Sequence, residues 1–168
     1  MKNNSTLILT HSQIEKKLER MAWEIFENNY NEKCIILIGI EDKGVIISKA
    51  ISDFLKNISS AEIVLGTIEI NKSDVFDSQA KLICNKNLEN QVVILIDDVI
   101  NSGKTILACM IPIAQYKPRK IQTAVLAKRN HRMFPVKCNI FGISLATTLQ
   151  EHIWFEIDND NKMKVYLT

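Results

Sequence analysis

Two stretches of the chain run apolar without a polar break: Cys34–Ile40 (CIILIGI) and residues 92–96 (VVILI). A strand with one wet face would alternate. An unbroken run suits a strand covered on both faces, as in a parallel sheet flanked by helices. Each run stops at charged residues and is followed by apolar residues at helical spacing. After Ile96 come Asp97 and Asp98, the polar Asn101, Ser102, Gly103, Lys104 and Thr105, and then Ile106, Leu107, Met110, Ile111 and Ala114. After Ile40 come Glu41, Asp42, Lys43 and Gly44, then Val45, Ile46, Ser48, Ala50, Ile51, Phe54 and Leu55. Strand, loop and helix, twice over, predict an α/β domain with a mainly parallel central sheet. Ligands of such sheets sit beyond the carboxyl ends of the strands, which is where both charged segments fall.

The rest of the chain fills out this plan. Ser12 followed by Glu15 predicts a capping box opening a helix. Its buried stripe is Ile14, Leu18, Met21, Ala22, Ile25 and Phe26, with Trp23 near the stripe's edge and on the core side. Residues 61–70 (AEIVLGTIEI) read as a strand, Lys81–Cys84 as a short second arm, and the polar residues 71–80 as a loop between them. Residues 120–127 (KIQTAVLA) predict another strand, ending in Lys128, Arg129, Asn130, His131 and Arg132. A short strand is expected at 138–144 and a last pair at Ile153–Ile157 and Met163–Leu167. Trp154, Phe155 and Tyr166 are expected to pack within that pair or at a subunit contact.

The segment after Ile96 has the parts of an anion seat. Unpaired N–H groups at a helix start attract phosphate, Gly103 lets the backbone approach it, and Ser102 and Thr105 add hydroxyls. Asp97 and Asp98 would repel a phosphate. They suit ribose hydroxyls or a metal ion. Together these features describe a phosphorylated ribose. Gly103-Lys104-Thr105 copies the tail of a Walker A loop, but that loop needs a glycine where Asp98 stands. The plainer alternative is a strand ending in a polar turn capped by Asp98 or Ser102; paired acids ahead of a Ser-Gly-Lys-Thr loop favour the ligand reading.

Composition excludes several classes. At 168 residues the chain fits one domain. A net charge of +2 is too small to argue for nucleic acid or membrane by itself. Cys34, Cys84, Cys109 and Cys138 show no metal-ligand spacing, so free thiols in a reducing cytoplasm are expected. The start of the chain is too polar for a signal peptide, and no run approaches the ~20 apolar residues of a membrane helix.

Residues 94–105, ILIDDVINSGKT, resemble the signature by which type I phosphoribosyltransferases bind phosphoribosyl pyrophosphate (PRPP). The resemblance implies one phosphoribosyltransferase domain over 1–168, with a small hood and, at 71–80, a flexible flap. It implies that Asp97 and Asp98 hold the ribose hydroxyls, that Asn101, Ser102, Gly103, Lys104 and Thr105 wrap the 5′-phosphate, and that Lys43 and Gly44 meet pyrophosphate. Glu41 and Asp42 would repel pyrophosphate unless a metal intervenes, and a plain strand-to-helix connection is the alternative there. Asn101 departs from the tyrosine or aspartate of related sequences, and Ser102 stands where threonine is common. The flap residues Lys72, Asp74 and Asp77 depart from the tyrosine, arginine and acids of relatives.

Residues 125–157 are similar to the pyrimidine-operon attenuation regulator/uracil phosphoribosyltransferase (PyrR) family, with Arg129, His131, Arg132, Pro135 and Gly142 matching. Lys128 stands where those regulators carry aspartate, and Lys128-Arg129 resembles the 6-oxopurine transferases, whose lysine contacts the base. Ala146 replaces a proline. The base therefore stays open between uracil, which is favoured, and a 6-oxopurine. The resemblance implies a base site of Lys128, Arg129, Ile140, Phe141 and Gly142 in a hood region 128–157. It implies Mg²⁺ bound mainly through PRPP with no direct protein ligand, a nucleobase or nucleoside monophosphate as the other ligand, and a homodimer or higher homo-oligomer in the cytoplasm. A nucleotide-sensing, RNA-binding regulator of pyrimidine genes with little turnover is the alternative. The basic run Lys128, Arg129, His131, Arg132 permits base contact, a dimer interface or RNA phosphate binding, or simply a solvated loop. His131 alone is no evidence of acid–base catalysis.

Overall fold

The strands divide between two sheets. The larger runs in the order β4 (Lys81–Cys84), β3 (Glu62–Glu69), β2 (Cys34–Ile40), β5 (Val92–Ile100), β6 (Lys120–Arg129) and β7 (Ile140–Leu145). All its pairings are parallel except that of β3 with the edge strand β4. The smaller sheet joins β1 (Thr6–Leu9), β9 (Met163–Leu167) and β8 (Ile153–Ile157), all antiparallel. Three helices complete the chain: α1 (His11–Asn28), α2 (Glu41–Ile58) and α3 (Lys104–Gln115). This computed structural model describes residues 5–71, 75–76, 80–147 and 151–168.

Strand alternation builds two cores from the two apolar runs. Ile35, Leu37, Ile94 and Ile96 face α1, α2 and the small sheet, where Ile14, Leu18, Met21, Ile47, Ile51, Leu55, Phe155 and Val165 meet them. Ile36, Ile38, Val93 and Leu95 face α3, with Ile106, Cys109 and Ile113. Every residue of β2 is buried, as an unbroken apolar run requires. The small sheet is the hood, and it draws strands from both ends of the described chain. Residues 128–157 are therefore not one unit: β7 belongs to the main sheet, and the hood also needs β1, which is short and half wet.

Several local expectations shift. The helix start is capped by Thr10 and Gln13, not Ser12 and Glu15: the Thr10 N–H donates to Gln13 Oε1 at 2.9 Å. A tertiary contact sets this start, because His11 Nδ1 accepts the Met163 N–H of β9 at 3.2 Å. Trp23 is 45% exposed and leans edge-on against Phe26 instead of entering the core. β5 does not end at Ile96. It continues through both acids to Ile100, because β6 pairs with it as far as Lys128. β6 likewise extends through Arg129, while β7 starts only at Ile140. Residues 41–44 are not a loop but the first turn of α2. The chain reverses at Glu41, whose φ is +42°, and the Glu41 carboxylate accepts the Ile70 N–H at 3.0 Å.

Candidate active site

β5 is the centre of the carboxyl edge. Alternation sends its two acids to opposite faces. Asp97 is 7% exposed and lines a cleft of about 90 Å³ with Val99, Ile100, Asn101, Ser102, Gly103, Thr105 and Ile106. Its Oδ1 accepts the Asp98 N–H at 2.9 Å, which stiffens the strand end. Asp98 turns the other way, toward α2 and the hood, where Lys43 Nζ stands 3.7 Å from its Oδ2. The two carboxylates thus flank the strand end and do not converge on one point.

The loop between β5 and α3 is a helix N-terminus built for an anion. Gly103 caps α3 with φ +86°, a conformation that costs an L side chain about 1–2 kcal/mol. Ser102 Oγ accepts the Lys104 N–H at 3.3 Å. No acid lies in the first turn of α3, so its partial positive charge is unopposed from within the helix. Asn101 ties this loop to the hood, its Nδ2 donating to the Ile153 carbonyl at 3.4 Å, while its Oδ1 is buried without a hydrogen-bond partner among the described residues. Phe134, which no local sequence signal singles out, backs the loop. Its N–H donates to the Ser102 carbonyl at 3.1 Å, and its carbonyl would lie 3.4 Å from a Cβ at Gly103.

Of the expected flap, 72–74 and 77–79 lie outside the described residues, and Lys72, Asp74 and Asp77 with them. Val75 joins the core on the α3 side. Phe76 meets the Phe134 ring edge-on at 5.8 Å, and Lys104 Nζ lies 5.1 Å from the Phe76 ring centre. Lys104 at the start of α3 therefore rests against Phe76.

Lys43 and Gly44 do different jobs. Lys43 Nζ donates to the Phe155 carbonyl and reaches Asp98, joining α2, the β5 acids and the hood. A Cβ on Gly44 would sit 2.6 Å from the Ile96 carbonyl oxygen, so glycine here lets α2 pack onto β5.

The expected base-site residues fall into two groups. Lys128 and Arg129 stand at the carboxyl end of β6, beside Ser144 and Leu145 of β7. Lys128 Nζ sits 3.8 Å above the centre of the Phe141 ring, and Arg129 is buried with Nε donating to Thr147 Oγ1 at 2.8 Å. Ile140, Phe141 and Gly142 open β7 at its amino end, opposite Ala124 and Val125, with the Phe141 ring reaching Lys128. Ile140 is fully buried, and a Cβ on Gly142 would meet the Leu126 carbonyl at 2.5 Å. Arg20 of α1 donates to the Gly142 carbonyl at 3.1 Å, which ties this stretch to α1. The basic run is not a solvated face either: only His131 of the four is exposed. Burial pushes the Cys138 thiol up to about 11, outweighing the Lys128 and Arg132 cations nearby. All four cysteines are free thiols.

A parallel sheet whose central strand ends in acids beside an acid-free helix start defines a sugar-phosphate-binding α/β protein. The family model described as Phosphoribosyl transferase domain matches residues 4–160. Similar solved structures include the hypoxanthine phosphoribosyltransferase of Trypanosoma cruzi, with TM-score 0.78 and 12% identity over 95% of each chain. A hypoxanthine-guanine phosphoribosyltransferase from Bacillus anthracis gives TM-score 0.69 and 17% identity over 83% of this chain and 82% of that one. At these identities the likeness is one of fold. Curated relatives named Bifunctional protein PyrR are nearer in sequence. That of Geobacter sp. (strain M21) is 31% identical over 95% of this chain and 94% of its own, and that of Staphylococcus saprophyticus 30% over 95% and 97%. The chain belongs to the type I phosphoribosyltransferases, in the PyrR family.

Proposed function

We propose that the protein transfers the phosphoribosyl group of PRPP to a nucleobase, with uracil favoured, giving the nucleoside monophosphate and pyrophosphate. The bond from C1′ to the pyrophosphate oxygen breaks with its electron pair leaving on pyrophosphate. The C1′–N bond to the base forms, and the base's N–H proton goes to solvent. The observation that carries this reading is the cleft between Asp97 and the α3 N-terminus, where Gly103 takes a positive φ and the first turn of α3 carries no acid. There Asn101, Ser102, Gly103, Lys104 and Thr105 take the 5′-phosphate.

Asp98 accepts hydrogen bonds from the ribose hydroxyls, and Asp97 braces that strand end through the Asp98 N–H. Lys43, beside Asp98, lies between ribose and pyrophosphate. Lys128, whose ammonium lies over the Phe141 ring, takes the base on that side of the site. Catalysis rests on orientation and on stabilising positive charge at C1′, with no covalent nucleophile.

Mg²⁺ fits this site as a partner of the substrate. Among the described residues no group of three or more His, Cys, Asp or Glu is placed to hold a metal alone. Mg²⁺ keeps most of its ligands from water and substrate phosphates, so it would bind mainly through PRPP, with no direct protein ligand. When bound, it neutralises charge on the departing pyrophosphate. The four free thiols suit a reducing cytoplasm, and no described helix is long and apolar enough to cross a membrane.

The test is pyrophosphate release from PRPP and Mg²⁺ with uracil, hypoxanthine or guanine in parallel. Release with uracil is the expected result; release with a purine alone moves the base assignment. No release with any base defeats the transferase reading.

A further inference from the structure

Of the two helix starts on the carboxyl edge, only that of α3 carries a cation with no acid in its turn. The first turn of α2 holds Glu41 and Asp42, which share a cleft with Glu69 at the end of β3. In α3, Lys104 is the one charged side chain of the whole helix. Its neighbours Gly103 and Thr105 line the cleft beside Asp97, but Lys104 does not. The ammonium is held outside, 5.1 Å from the centre of the Phe76 ring.

Phe76 is itself held. Val75 before it is packed in the core on the α3 side. The Phe76 ring meets the Phe134 ring edge-on at 5.8 Å. The Phe134 N–H in turn donates to the Ser102 carbonyl at 3.1 Å, in the loop that makes the cleft. Phe76 thus reaches that loop by two routes, through Lys104 at the helix start and through Phe134 behind Ser102.

A lysine ammonium on its flexible stem is a mobile charge, and fixing it costs rotamer entropy. The negative face of an aromatic ring attracts it and meets part of that cost before any ligand arrives. A phosphate entering the cleft then finds a cation already placed at the helix start, and opposite charges attract through space without contact.

We propose that Phe76 is a positioning residue for the 5′-phosphate: its ring holds the Lys104 ammonium at the start of α3 and so raises the affinity of the cleft for a phosphate ester. This rests on the phosphoribosyltransferase reading above, and adds to it a residue outside the phosphate loop that touches no substrate.

Isothermal titration calorimetry of the full chain with ribose 5-phosphate tests this in wild type, Phe76→Leu, Phe76→Tyr, Lys104→Met and the Phe76→Leu/Lys104→Met double variant. Phe76 is 48% exposed, so leucine there keeps apolar bulk and the fold while removing the aromatic face. Phe76→Leu is expected to weaken binding about three- to tenfold, and Phe76→Tyr to bind as wild type does. In the Lys104→Met background the leucine substitution is expected to have no further effect, because the ammonium on which Phe76 acts is gone. A merely structural role would weaken binding equally in both backgrounds. Wild-type affinity in Phe76→Leu, tyrosine as weak as leucine, or independent losses in the double variant each overturn the inference and leave the transferase reading intact. Absence of ribose 5-phosphate binding to the wild type at millimolar concentration overturns both.

Discussion

The starts of α2 and α3 share one geometry and carry opposite chemistry. Each follows a strand of the same parallel sheet, and each projects unpaired N–H groups at the carboxyl edge. At α3 the chain pauses through Ser102 and a left-handed Gly103 before the helix begins, and leaves a cleft. At α2 it enters the helix directly from Ile40, puts two acids on the first turn and uses Gly44 for packing against β5. Backbone geometry alone makes an anion site possible. The side chains of the first turn and the slack in the preceding loop decide whether it is one.

That contrast can be broken by making α3 resemble α2. Thr105→Glu puts a carboxylate in the α3 first turn, in the wall of the cleft. It should cost ribose 5-phosphate affinity between about fivefold and several hundredfold, read by calorimetry, since like charges a few ångströms apart repel by about 1–4 kcal/mol in water-like to partly buried surroundings. A variant that binds normally would place the phosphate elsewhere. A smaller change sharpens the same point. Gly103→Ala retains the space, with the new Cβ in ordinary contact at 3.4 Å, but strains φ. It should cost about 1–2 kcal/mol of stability by denaturant titration, and weaken phosphate binding in step.

The hood offers the mildest test. The turn between β8 and β9 is stapled by Asp158, which accepts the Asp160 and Lys162 N–H groups and pairs with Lys164 at 2.9 Å. The Lys164 hydrogen bond, followed by those backbone donors, holds the Asp158 carboxyl below its usual value of 3.8. A depressed carboxylate pKa stabilises the fold above the unfolded value and loses that contribution as pH falls through the folded one. Amide protection factors of 153–167, corrected for the intrinsic exchange rate at each pH, should therefore fall on acidification below pH about 4, and in Asp158→Asn they should already be lower at neutral pH. Unchanged exchange in the variant would detach the staple from hood order, and with it the hood from the α2 side of the comparison.

Much of this was legible before any coordinates. Unbroken apolar runs required strands covered on both faces, and the paired acids ahead of Ser102-Gly103-Lys104-Thr105 marked the ligand edge, because both signals are local and come from neighbouring residues. The carboxyl ends of β5 and β6 escaped, since a strand persists through Asp97, Asp98 and Lys128 only when a partner strand satisfies its backbone. Periodicity also does not show that Phe141, set opposite Val125 by the register of β7, brings its ring under the Lys128 ammonium.

By itself the sequence determined the layer order and the family, both written in periodicity and contiguous motif. Only the tertiary structure decided that Asp97 and Asp98 look to opposite faces, that Lys43 reaches from the first turn of α2 to Asp98 and the hood, and that three carboxylates from two elements share one cleft. Those are relations between residues far apart in the chain, and charge acts through space.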